Sequence, residues 1–193
     1  MEFHADHICH IYNRGIDKQI IFYTNENYAF FLRKMERYLL PCCDLLAYCL
    51  MPNHLHLLIY ATQTTVQTVN RNGKPKNVLS ENIKTLLSSY ESAINTRYKR
   101  TGSLFTQNTR AVCTTAHSIP YSTTCFHYIH QNPMTAKLVR KMEEWRFSSF
   151  DDYTQDCSAL GNIPLAYEIL DLCREHFYRD AYAVTDNLLP DFD

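Results

Sequence analysis

Two short apolar runs on either side of a turn signal constrain this chain more than any other feature. Asp44 to Met51 reads DLLAYCLM, Pro52-Asn53 is a tight turn, and His54 to Tyr60 reads HLHLLIY. Both runs are short and bounded by turn residues, so together they predict a β-hairpin. Helical patterns flank it. Upstream, Tyr28, Phe31, Leu32, Met35 and Leu39 recur at helical spacing behind Thr24 or Asn25 as a cap, and Pro41 stops the run. Downstream, Ser80 caps a long helix with a face of Ile83, Leu86, Leu87, Tyr90, Ile94 and Tyr98. A hairpin between helices predicts an α+β fold, an antiparallel sheet with helices packed on it.

The other segments are assigned around that frame. His7 to Asn13 reads as a strand, Asn13-Arg14-Gly15 as a turn, Lys18 to Tyr23 as an extended piece, and Ala111 to Thr115 as another strand. Residues 62–78 are polar and read as a mobile loop. A helix is expected from about Ser118 to Asn132. It should break at Asn132-Pro133, because the residue before a proline is pushed out of the helical region. A short helix, Met134 to Val139, should follow. Pro164 opens a last helix to Phe177 with Leu165, Ile169, Leu172 and Cys173 on one side.

Composition removes several function classes. Four glycines in 193 residues, Gly15, Gly73, Gly102 and Gly161, are too scattered for a glycine-rich phosphate loop. No apolar run approaches the ~18–20 residues of a membrane span. The opening Met1-Glu2-Phe3-His4 lacks a basic-then-apolar pattern, so no signal peptide is expected. Eight cysteines without a C-x-x-C pair read as thiols in a reducing cytoplasm. The net charge of −1 conceals an asymmetry: residues 70–150 sum to +8 and residues 151–193 to −8. That pattern fits a polyanion partner, or two blocks that neutralise each other.

The chemistry-bearing residues fall on one strand and one helix. On a strand, side chains alternate, so His54 and His56 share a face while Leu55, Leu57 and Ile59 take the other. Two imidazoles so placed can converge on a divalent ion, or be ordinary sheet residues. Asn132 lies one helical turn after Tyr128. A tyrosine hydroxyl can be a covalent nucleophile and an amide oxygen a metal ligand. Taken singly, Tyr128 reads as a buried aromatic, and Asn132 as the N-cap of a helix opened by Pro133.

Together these elements resemble a known family. Residues 47–59, AYCLMPNHLHLLI, resemble the HUH signature of the IS200-like, Y1-type transposases, in particular the REP-associated tyrosine transposases. Residues 128–133, YIHQNP, followed by Ala136 and Leu138-Val139, resemble that subgroup's tyrosine helix. His10 with Asn13-Arg14-Gly15, the Gly102–Phe105 segment and the Trp145–Phe150 segment also match, so the resemblance runs over roughly residues 7–153.

The resemblance implies a ferredoxin-like core and metal-dependent cleavage and rejoining of single-stranded DNA through a 5′-phosphotyrosine. It implies His54, His56 and Asn132 as ligands of a divalent ion, Mg²⁺ or Mn²⁺, with Tyr128 as the nucleophile. Zn²⁺, Ni²⁺ or Co²⁺ would also suit two imidazoles. It implies single-stranded or hairpin DNA as partner, no membrane, and a protein that acts alone or as a homodimer. Arg14, Lys84, Arg97, Lys99, Arg100 and Arg110 lie in or near matched segments and are candidate phosphate contacts. Residues 1–153 would form the catalytic domain and 154–193 an acidic C-terminal helical appendage that covers part of it. The alternative is a non-catalytic nucleic-acid-binding protein on the same fold.

Overall fold

The structure, a computed structural model, describes residues 1–71, 73–115 and 118–183. Its elements follow as β1 (Ile8–Arg14), α1 (Asn25–Tyr38), β2 (Cys43–Met51), β3 (His54–Ala61), α2 (Gln63–Val66), β4 (Thr68–Arg71) and β5 (Lys74–Asn77). Then come α3 (Val78–Tyr98), β6 (Arg110–Cys113), α4 (Ile119–Thr135), α5 (Phe150–Thr154), α6 (Ile163–Ile169) and α7 (Phe177–Ala183). Strands β2, β3, β1 and β6 form one sheet in that order, every neighbour antiparallel. With α1 joining β1 to β2 and α3 joining β3 to β6, this is the ferredoxin-like split βαβ arrangement.

Strand alternation sends two apolar sets to two faces. Cys9, Ile11, Leu45, Leu50, Leu55, Leu57 and Ile59 are buried with residues of α1 and α3, which pack on each other. Ile8, Ala47, Cys49, Met51 and Leu58 are buried on the other face with α4 and the C-terminal helices. A register shift between Leu45 and Ala47 places Leu46 and Ala47, adjacent in sequence, in the same cluster. Phe31, Tyr90, Phe126 and Phe150 are fully buried, each contributing roughly 1.5–3 kcal/mol by area transfer. The free edge of β2 is covered: Leu50 N donates to Phe147 O and Ser149 N to Tyr48 O, and Trp145 Nε1 donates to Leu50 O at 3.1 Å.

Lys18 to Tyr23 joins no sheet, and Gln19 is extended, φ −61° and ψ 152°, after the left-handed Asp17 and Lys18. Three local expectations are corrected. Residues 62–78 are not a loop: Thr62 caps α2, and β4 pairs with β5 around Gly73 at φ 76°. Helix α4 does not break before Pro133 and no separate helix follows. The proline sits in the last turn, where it removes one hydrogen bond and the helix ends two residues later. The expected helix to Phe177 is cut short: α6 ends at Ile169, Asp171 at φ 51° turns the chain, and α7 begins only at Phe177. Leu165, Ile169 and Leu172 pack against the core partly buried, beside the buried Ile163, Ala166 and Leu170.

Candidate active site

The site forms where β1 and β3 meet the turn between β2 and β3. In the ladder Tyr12 is opposite His56 and Arg14 opposite His54, so all four side chains share the α4 face of the sheet. His54 and His56 have ring centroids 5.0 Å apart with perpendicular planes. His54 Nδ1 donates to Asn53 Oδ1 at 2.7 Å, which makes Nε2 the lone-pair nitrogen of that ring. His56 Nδ1 lies 2.9 Å from His10 Nε2, with the two rings stacked at 15°.

Burial decides the protonation of this cluster. His10 is fully buried, which holds its imidazole down to about 3. His56 is likewise held well below the usual histidine range, first by burial and then by the neighbouring His10 and His54. Both rings are therefore neutral near pH 7, the protonation state in which an imidazole can be a metal ligand. His56 Nε2 is buried and has no hydrogen-bond partner. An orphaned ring nitrogen of that kind calls for an explanation, and in the tautomer in which Nδ1 donates to His10 a cation on Nε2 would supply one. Among the described residues, however, no three His, Cys, Asp or Glu side chains form a group that could hold a metal ion by themselves.

Helix α4 brings Tyr128 against this pair. Its ring stands edge-on to His56, 5.7 Å between centroids at 89°, and 6.5 Å from His10. Asn132 Nδ2 donates to Tyr128 O at 3.1 Å, within the continuous helix. Asn132 is thus an interior helix residue, not the N-cap of a following helix, and only its Oδ1 could be a ligand.

An open cleft of about 650 Å³ lies beside the histidines. His54, His56, Arg14, Lys18 and Arg110 line it with several amide side chains, so both imidazoles face a surface with three cations. Arg14 and Arg110 are thus where a phosphate could meet them. Lys84, Arg97, Lys99 and Arg100 belong to α3 or its C-terminal turn, on the other side of the sheet, and none lines the cleft. Arg100 is engaged locally with Asn95 and Gln19. Tyr128 and Asn132 do not line the cleft either; Ala136 and Leu138, just past α4, do.

Residue reasoning alone assigned no role to His10, Asn53 or Lys18. The signal for His10 was its spacing from Tyr12 and Arg14, which puts three functional side chains on one face of β1. Gly15 fixes the turn that follows. A Cβ there would fall 2.2 Å from the Gln19 carbonyl oxygen, so only glycine fits, and its N–H donates to Asn53 O at 2.8 Å. Gly15 thereby holds the residue that orients His54.

A solved structure of a REP-associated tyrosine transposase bound to a REP hairpin shares this fold. The TM-score is 0.57, over 84% of this chain and 90% of that one, at 11% identity. No protein-family model and no curated protein matches the sequence.

Proposed function

We propose that the protein is a single-stranded DNA nuclease and strand transferase of the HUH tyrosine type, with residues 1–153 as its catalytic unit and 154–193 as an acidic appendage. The observation that carries this reading is Tyr128 set edge-on to His56, in a histidine cluster that faces a cationic cleft. The shared fold with a transposase bound to a DNA hairpin supports it, and suggests a hairpin or single-stranded substrate here.

His54 and His56, through Nε2, and Asn132, through Oδ1, would hold a divalent ion, Mg²⁺ or Mn²⁺. When bound, such an ion supplies Lewis-acid stabilisation of charge on phosphate oxygens. The chain's own residues do the rest. Arg14, Lys18 and Arg110 bind and orient the phosphodiester by charge-assisted hydrogen bonds. Tyr128 Oη attacks phosphorus, forming a 5′-phosphotyrosine as the bond to the 3′-oxygen breaks. The tyrosine proton ends on the released 3′-hydroxyl. The ester conserves the bond energy, so a 3′-hydroxyl on another strand can reverse the step without ATP. That accords with a sequence that lacks a glycine-rich phosphate loop.

One observation favours a second reading, a non-catalytic binder of single-stranded or hairpin nucleic acid: neither Tyr128 nor Asn132 lines the cationic cleft. The deciding experiment incubates the protein with end-labelled hairpin and single-stranded oligonucleotides and Mg²⁺ or Mn²⁺, then runs a denaturing gel. A covalent adduct that Tyr128→Phe abolishes while binding persists supports the nuclease. Binding without an adduct on any oligonucleotide supports the binder.

A further inference from the structure

Cys9 on β1 and Cys113 on β6 are directly opposed in the ladder. Thr114 N donates to Ile8 O at 2.9 Å, which makes the adjacent pair the hydrogen-bonded one. The two kinds alternate along an antiparallel ladder, so Cys9 and Cys113 form a non-hydrogen-bonded pair. Residues in such pairs have Cα atoms ~4.5 Å apart and side chains on one face. That separation lies within the ~4.4–6.8 Å spanned by disulfides.

The two thiols differ in access. Cys9 is buried in the sheet, whereas Cys113 is half-exposed on the edge strand. Cys113 Sγ lies 3.2 Å from His7 Nδ1 and 3.4 Å from Thr115 Oγ1. An imidazole at that distance can accept the thiol proton as the sulfur attacks an electrophile. Burial pushes the Cys9 thiol up to about 12, with the Cys113 charge adding to it, so the first attack falls to Cys113.

We propose that Cys9 and Cys113 are a peroxide-reactive dithiol, with Cys113 the attacking thiol, His7 its proton acceptor and Cys9 the resolving thiol. The Cys113 sulfur attacks one oxygen of a hydroperoxide, here H₂O₂. The O–O bond breaks, a sulfenic acid forms, and the other oxygen leaves as water after taking the thiol proton by way of His7. Cys9 sulfur then attacks Cys113 sulfur, the S–O bond breaks, and the hydroxyl leaves with the Cys9 proton as a second water. Two thiols are oxidised by two electrons and one peroxide is reduced. The product ties the edge strand that carries Arg110 to the strand that carries His10. The inference does not depend on the nuclease reading.

The test uses the full chain, reduced, then exposed to H₂O₂ at a one-to-one ratio and mapped by mass spectrometry without reduction. Cys157 and Cys173 are exposed and serve as internal comparators. The expected result is a Cys9–Cys113 cross-linked peptide that forms roughly tenfold faster than either comparator is oxidised. The oxidised protein should melt higher by roughly 5–10 °C, because the link closes a long loop. In Cys9→Ser, dimedone should trap a sulfenic acid at Cys113, and His7→Ala should slow Cys113 alkylation several-fold. The proposal is overturned if Cys113 stays reduced while Cys157 and Cys173 oxidise, or if Cys113 oxidises without linking to Cys9. Both of these outcomes are read from the unaltered chain, so they stand whether or not Cys9→Ser folds.

Discussion

His10 Nε2 and His56 Nδ1 lie 2.9 Å apart on adjacent antiparallel strands, so the inner nitrogen of one candidate ligand is held by a residue of a different strand. The bond fixes the His56 ring and leaves Nε2 on the side where it has no hydrogen-bond partner. Partners of this kind set the tautomer and basicity of a ligating imidazole.

His10→Phe should therefore weaken divalent-ion binding by roughly 10- to 100-fold without removing a ligand. It should also destabilise the fold by about 1–3 kcal/mol, because His56 Nδ1 is left buried and unpaired. Mn²⁺ titration calorimetry alongside urea unfolding measures both. Unchanged Mn²⁺ affinity in a folded variant would remove His10 from the site.

Gly15→Ala should act through the backbone. The new Cβ would meet the Gln19 carbonyl oxygen at 2.2 Å, so the turn must shift and the hydrogen bond from Gly15 N to Asn53 O must lengthen. A cost of about 1–3 kcal/mol is expected, read as a fall in Tm. A Tm equal to that of the unaltered protein would mean that the turn relaxes freely.

Much of this site was legible in sequence because period and turn chemistry agree there. The alternation of His54, Leu55, His56 and Leu57 dictated which face each side chain takes, and Pro52-Asn53 dictated the hairpin. The His10–His56 contact was not legible from the residues, since it depends on the pairing of β1 with β3, more than forty residues away. Local rules failed where tertiary packing opposed them. Pro133 breaks helices in general, yet Phe126, Ile129, His130 and Pro133 itself are buried along one face of α4, and the helix runs to Thr135. Asp171 carries only a weak signal for a left-handed angle, one it shares with every other aspartate, so the division of the C-terminal helix was not legible.

His127 predicts an acid-labile fold. Burial holds its imidazole down to about 4, only partly offset by Asp180, while the unfolded chain takes up the proton near 6.5. The neutral ring's contribution is complete above pH ~6.5 and is lost as pH falls from there through about 4. Its share is up to ~1.4 kcal/mol per pH unit in that window. The ring packs against Phe126 and Phe177 and is also near His130, itself held well below the usual range by burial and then by His127. Urea unfolding at pH 7.5, 6, 5 and 4.5 should show this slope, and His127→Leu should reduce it. An identical slope in the variant would assign acid lability elsewhere.

The acidic C-terminal segment is bound to the core by packing, and with two basic residues, Arg174 and Arg179, it neutralises only a small part of its own charge. None of its described residues lines the cleft, so its charge does not sit over the histidines. Asp156 pairs with Arg174 and Asp180 with Arg179, within the segment itself, and Asp186 lies outside the described residues. Its apolar residues are core. Phe177 stacks on Tyr153 with centroids 5.3 Å apart and meets Phe126 and Phe150, and Ile163, Ala166, Leu170 and Ala181 are buried in the same cluster. Cutting the chain after Tyr153 would strip that cover from α4, so a rise or fall in DNA affinity could not be separated from unfolding. Phe177→Ala is the cleaner probe of packing and should cost about 3–5 kcal/mol. Charge is probed separately by Glu168→Gln with Glu175→Gln, two exposed positions that leave the core intact. If the segment shielded the DNA surface, this double variant would bind single-stranded DNA more tightly at low salt, and the gain would fade as salt rises. The packing predicts no change across the salt titration, together with a large loss of stability in Phe177→Ala. A salt-dependent gain in the double variant would show instead that the segment shields the nucleic-acid surface.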